Sequence, residues 1–289
     1  MRSEREIFDL ILETARQDER IRAVILNGSR ANPDSPRDIF QDFDIVYLVT
    51  DVAPFREDRD WPKRFGEIMV MQTPEDMQDP PPEGNGGFTY LMQFMDGNRI
   101  DLGLFPVERV KELFGDSLTV VLLDKDGLVP PLAPPSESGY LPIPPTARQY
   151  SDCCNEFWWC SPYVAKGLWR GQITYAKGML DQWLRDQLMK MLNWYVGVQT
   201  GFAKNPGYMG KHLQECLEPE LWDMLMSTYS DSAYDHTWDA LLGMGSLFRR
   251  IAIPVAEHFG FEYPYGDDAR VSAHLRHVRL LPRNAAEMY

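Results

Sequence analysis

Seven prolines fall in the nineteen residues Leu128–Thr146 (LVPPLAPPSESGYLPIPPT). No helix interior or central strand tolerates that density, because each proline fixes φ and removes a backbone donor. The stretch reads as an extended, semi-rigid connector. It divides the 289 residues into two parts of ordinary domain size. Before it, apolar residues come in short blocks bounded by turn residues, the pattern of strands; after it they recur every three or four positions, the pattern of helices. The expected class is α+β: a mixed sheet with packed helices over residues 1–130, a connector over 131–146, and a helical bundle over 147–289.

Ser3 to Gln17 opens with a capping-box pair, Ser3 and Glu6, followed by Ile7, Leu10, Ile11 and Ala15, and predicts a packing helix. Strands are expected at Ile21–Leu26, Phe43–Val49, Phe65–Gln72, Phe88–Met95, Arg99–Phe105 and Leu118–Leu123, with Asp96-Gly97-Asn98 as a tight turn. Residues 74–87 form a loop rich in proline, glycine and acids, and Pro106–Phe114 suits a short helix. Beyond the connector, Thr174–Val196 places Leu180, Trp183, Leu184, Leu188, Met191, Leu192 and Tyr195 on one helical face. A second long helix, Ala233–Phe259, carries Trp238, Leu241, Leu242, Leu247, Phe248 and Ile251, with a kink expected at Pro254.

The chemistry concentrates between the first two strands. Gly28, at a strand end, lets backbone amides approach a polyphosphate; Ser29 adds a hydroxyl at an expected helix start, and Arg30 adds a fork of donors. Period-two alternation puts the carboxylates of Asp42 and Asp44 on one face of their strand, with Phe43 and Ile45 on the other. Asp101 interrupts another apolar run and shares a face with Gly103, which leaves room beside it. Three carboxylates at a phosphate-cradling turn match the needs of magnesium, which takes oxygen ligands and substrate phosphates. The plainer alternative makes Asp42 a loop cap, Asp44 a strand-start charge and Asp101 a partner of Arg99. An unpaired acid inside an apolar run is costly, which weighs against that alternative for the set.

Gly28-Ser29 followed by Asp42-Phe43-Asp44 resembles the signature of the nucleotidyltransferase superfamily that includes DNA polymerase beta. Further segments, Asn27-Gly28-Ser29-Arg30-Ala31-Asn32, Phe40-Gln41-Asp42-Phe43-Asp44 and Trp158 through Gly171 (WWCSPYVAKGLWRG), resemble the aminoglycoside 6-adenylyltransferase (streptomycin adenylyltransferase) family. The resemblance implies an N-terminal nucleotidyltransferase domain that transfers AMP from magnesium-bound ATP to a hydroxyl of a streptomycin-like drug, releasing pyrophosphate. On that reading Asp42 and Asp44 hold metal, and Asp101 is either a third ligand or the general base. Gly28, Ser29, Arg30 and Lys211 contact the nucleotide, and Asp181, Glu156 and Trp158 contact the drug, in a cleft expected between the domains. Asp181 has a second reading, an i, i+4 pair with Arg185. Trp158, Trp159 and Trp169 have one as core residues.

A net charge of −14 opposes nonspecific nucleic-acid binding and attracts cationic small molecules. No leader or membrane-spanning run is visible, so a soluble, cytoplasmic protein is expected. Cys153, Cys154, Cys160 and Cys216 lack zinc or disulfide-framework spacing and read as reduced core thiols. His212 with Cys216, and His274 with His277, have too few neighbouring ligands for zinc. No pattern specifies an oligomeric state.

Overall fold

In the computed structural model, which describes residues 1–81, 84, 86–113 and 115–289, Ser3 and Glu6 close the capping box of α1 (Glu4–Gln17). Its buried Ile7, Ile11 and Ala15 face a six-stranded sheet. The strands are β1 (Ile21–Asn27), β2 (Phe43–Val49), β3 (Ile68–Gln72), β4 (Phe88–Phe94), β5 (Arg99–Pro106) and β6 (Thr119–Asp124), and the helix α2 (Ala53–Glu57) follows β2. Their order is β3-β4-β5-β2-β1-β6; β2 and β5 run parallel and the other neighbours antiparallel, so the sheet is mixed as expected.

The sheet separates two apolar layers. Phe43, Ile45, Tyr47 and Val49 of β2 enter the larger layer under α1, where the Tyr47 hydroxyl donates to the Ile11 carbonyl at 2.7 Å. Leu48, Ala23 and Ile25 enter the smaller layer on the opposite face, with Val46 and Phe105 packed beside them. Asp42 and Asp44 share the parity of Val46 and Leu48, and Asp101 that of Phe105. The three acids therefore lie on the face away from α1.

The strands fall within one residue of their expected ends except β3, and two elements of the first unit differ by more. Phe65 belongs to the turn Trp61–Phe65 and not to β3, because Trp61 and Phe65 are drawn into an aromatic cluster with Tyr47, Phe55 and Tyr90, and Gly66 at φ +141° breaks the chain direction. The helix expected over Pro106–Phe114 is a 3-10 helix, Val107–Glu112; Phe114 lies outside the described residues, as do residues 82, 83 and 85 of the loop 74–87. Within that loop Glu75 accepts from the backbone and hydroxyl of Thr89, both at 2.9 Å, which ties it to β4.

The chain divides into units Met1–Gly139 and Tyr140–Tyr289. The second unit is helical: α3 (Ala147–Trp169), α4 (Ile173–Gly178), a π-helical segment Met179–Leu184, α5 (Arg185–Thr200), α6 (Leu213–Cys216), α7 (Pro219–Ser227), α8 (Tyr234–Phe259) and α9 (Tyr265–Leu280). Thr146 and Gln149 cap α3 reciprocally. Phe157 stacks on Phe248 at 3.8 Å, and Leu188, Met191, Leu192, Leu241, Leu247 and Ile251 fill the same core. The predicted helix Thr174–Val196 is present as α4, the π segment and α5, with one correction: Trp183 is 54% exposed. The π turn advances about 80° per residue instead of 100°, which keeps Leu180 and Leu184 on the core line and swings Trp183 outward. Helix α8 is continuous through Pro254.

All four cysteines are free, three buried and Cys216 half-buried. Among the described residues, no helix is long and apolar enough to cross a membrane.

Candidate active site

Antiparallel pairing of β1 with β2 sets Asn27 opposite Asp44, and parallel pairing of β2 with β5 sets Asp44 opposite Asp101. Gly28 follows β1 at φ +70°, and a Cβ built on it meets Asp44 Oδ2 at 2.3 Å. A side chain here is excluded twice, by the left-handed backbone and by the carboxylate beside it. The glycine thus brings its own backbone directly against the Asp44 carboxylate. The expected helix at Ser29 is a single 3-10 turn, Gly28–Arg30, too short to carry a useful macrodipole. Room beside Gly103 is ordinary: a Cβ there meets Val46 at 3.6 Å.

The loop joining β1 to β2 is tied down by Arg30. Its Nε and Nη2 donate to the carbonyls of Asp42 and Gln41 at 2.9 and 2.8 Å, Glu4 lies 3.3 Å from its Nη1, and the guanidinium stacks 3.7 Å from the Phe43 ring. Arg30 is buried, so the fork of donors expected to meet a phosphate instead fixes the approach to Asp42. Gln41 continues the lacing by donating to Ser29 Oγ at 3.3 Å.

Arg99 binds Asp101 in a fork, with Nε to Oδ1 at 2.8 Å and Nη2 to Oδ2 at 2.7 Å, while its Nη1 stands 3.5 Å from Asp42 Oδ2. The Asp44 carboxylate makes no hydrogen bond or ion pair with any described residue. Burial, then the charges of Asp101 and Asp42, push its carboxyl up to about 6, against a weaker opposing pull from Arg99. Asp42 is also raised, first by burial, with Arg99 opposing. Asp116 adds further negative charge near Asp44, a contribution not anticipated from the sequence.

The donor set is all carboxylate oxygen, which suits a hard divalent ion, and Asp44 in particular is a crowded, desolvated anion with no protein cation of its own. The expected three-acid metal set is not closed, however. Both Asp101 oxygens are drawn onto Arg99, and no group of three His, Cys, Asp or Glu among the described residues is arranged to hold a metal ion. Asp42 and Asp44 with substrate phosphates make a set that fits magnesium, which commonly uses one or two carboxylates.

The remaining candidates lie in the second unit. Lys211 is exposed beyond the turn Tyr208–Gly210, and its ammonium has no partner among the described residues. Asp181 is flanked by Lys177 Nζ at 2.9 Å and Arg185 Nη2 at 3.5 Å, so its charge is met within its own helical turn. The Arg185 pairing considered from the sequence is present, and Lys177 was the partner missed, although its i−4 position was readable. Glu156 accepts from the Cys160 thiol at 3.2 Å and lines a recess of about 640 Å³ with Asp152, Gln187, Lys190 and Trp194. Trp158 is 2% exposed and packs on Phe157 and Phe248; its neighbour Trp159, 64% exposed, is the outward-facing indole. Both tryptophans line a second recess of about 530 Å³. His212 and the His274–His277 pair find protein partners, Glu215, Tyr289 and Met288.

A family model described as Streptomycin adenylyltransferase matches residues 1–278. The aminoglycoside 6-adenylyltransferase of Bacillus subtilis is 42% identical over 270 residues, 93% of this chain and 95% of that protein. That of Campylobacter jejuni is 42% identical over 271 residues, 93% of each. The crystal structure of an aminoglycoside 6-adenyltransferase from Bacillus subtilis aligns over 97% of this chain and all of its own at 37% identity, with a TM-score of 0.48.

Proposed function

Because the chain belongs to the streptomycin adenylyltransferase family, we propose that it transfers AMP from ATP, with magnesium, to a hydroxyl of a streptomycin-like aminoglycoside and releases pyrophosphate. The observation that carries this reading is the contact of Gly28 with Asp44, which sets a side-chain-free turn against carboxylates that share one face. A polyphosphate fits such a turn, and the acids beside it fit the reaction at phosphorus. Asp42 and Asp44 would hold magnesium, which when bound neutralises charge on the phosphates.

The chain's own residues supply the rest. Gly28 and Ser29 present backbone and hydroxyl donors to the phosphates. Asp101 accepts the proton of the attacking hydroxyl as oxygen bonds to the α-phosphorus and the bond to the β-phosphate oxygen breaks. Arg30 keeps the loop that carries Asp42 in place. Glu156, in a recess with Asp152, takes a cationic group of the drug, and the outward-facing Trp159, rather than the core residue Trp158, offers it an apolar flank. Asp181 has no such role in this scheme, since two neighbouring cations already neutralise it. Incubating the protein with ATP labelled at the α-phosphate and a panel of aminoglycosides and lincosamides tests the proposal. Label should pass to streptomycin only when magnesium is present. Transfer to a lincosamide alone would overturn the acceptor, and hydrolysis without transfer would overturn the reaction.

A further inference from the structure

Arg99 and Asp101 stand two apart on β5 and so share a face, and parallel pairing with β2 puts Asp42 and Asp44 beside them. Among the described residues, Arg99 is the one side-chain cation with donors on these carboxylates. It takes both oxygens of Asp101 and reaches Asp42, yet its own side chain is 41% exposed and so able to turn out toward water. A guanidinium and a divalent ion at the same carboxylate oppose each other, because their like charges repel and each hydrogen bond from the guanidinium occupies a lone pair that a metal could use. With Arg99 in place, a metal ion entering alone meets a free Asp44 and a half-engaged Asp42. Nucleotide changes both sides of that balance, adding phosphate oxygens as ligands and offering Arg99 another anion.

We propose that Arg99 is the resident counter-cation of this site, a positioning residue that holds Asp101 and Asp42 in the nucleotide-free protein and competes with divalent metal at Asp42, by contact and by like charge, so that metal and nucleotide bind cooperatively. The inference rests on the adenylyl-transfer reading above. By linkage, whatever factor nucleotide adds to metal affinity, metal adds to nucleotide affinity, and Arg99 sets the size of that factor.

The test is Mn²⁺ titration of the full chain, following free Mn²⁺ by electron paramagnetic resonance, with and without a non-hydrolysable α,β-methylene ATP. Wild type should take up Mn²⁺ weakly alone and tightly with the analogue. Arg99→Gln should bind Mn²⁺ alone at least about tenfold more tightly than wild type, with the enhancement by analogue reduced by the same factor. Arg99→Lys, whose ammonium cannot hold both Asp101 oxygens, should fall between them and serves as the test if the Gln variant fails to fold. A folded Arg99→Gln, or in its place Arg99→Lys, with wild-type or weaker Mn²⁺ affinity overturns the proposal. Wild type that takes up no Mn²⁺ even with the analogue overturns the metal reading, and the inference with it.

Discussion

Replacing Asp44 by Asn should make the nucleotide-free protein more stable while removing its activity. In the folded protein the Asp44 carboxyl is pushed up to about 6, roughly two pH units above an ordinary aspartate, which corresponds to an upper bound of about 3 kcal/mol of unfavourable charge at neutral pH. Partial water access lowers the figure, so about 1–3 kcal/mol is expected, or about 3–8 °C in the melting transition of the first unit. The sign follows from linkage. Between about pH 4 and 6 the folded state holds a proton at Asp44 that the unfolded chain has released, so wild-type stability falls as pH rises through this window. Asn cannot titrate. Its advantage over Asp should be full above pH 6.5 and vanish near pH 4. Scanning calorimetry of both proteins in EDTA at pH 7.5 and pH 4.5, beside turnover with magnesium, reads out every part. Turnover should fall by about a thousandfold or more, since the lost charge organises the metal and phosphates. An Asn variant less stable than wild type at pH 7.5, or one with wild-type turnover, would refute the reasoning.

Gly28→Ala should destabilise the first unit by about 1–3 kcal/mol and abolish transfer, because its φ of +70° and the 2.3 Å approach to Asp44 both exclude a methyl group; melting and turnover measure the two effects. Asp101→Asn should retain ATP affinity in the presence of magnesium and lose turnover if Asp101 is the base; activity rescued by high magnesium, with weakened nucleotide binding, would identify a metal ligand instead. Asp181→Asn should leave drug affinity unchanged and cost about 1 kcal/mol or less, because what it loses is a partly exposed pair of i, i+4 contacts; calorimetric drug titration decides. Glu156→Gln should weaken drug binding several-fold while nucleotide affinity stays constant, as a charge-assisted contact becomes a neutral one.

Where side-chain period carries the information, the sequence could be read closely. Alternation in β2 separates Asp42 and Asp44 from Phe43 and Ile45, and the structure buries the two apolar residues under α1 on the opposite face. Arg30 was less legible, since its partners are backbone carbonyls of Gln41 and Asp42, which no residue type encodes. Trp183 and Trp158 show the limit of helical phase. A π turn shifts Trp183 off the core line, and of two adjacent tryptophans only the three-dimensional packing decides that Trp158 turns inward and Trp159 out. Arg99 was visible as a possible partner of Asp101, but its reach to Asp42 depends on the parallel pairing of β2 with β5, a contact between distant segments.

The central claim is that carboxylates gathered at the Gly28 turn move an adenylyl group from ATP to a drug hydroxyl. Mass spectrometry of streptomycin after incubation with the protein, ATP and magnesium tests it most directly, with Asp42→Asn and Asp44→Asn run alongside. Wild type should convert streptomycin to a product heavier by one adenylyl group, with one pyrophosphate released per product, and neither variant should form it. Unmodified streptomycin in the wild-type reaction, or the same product from either variant, would contradict the account.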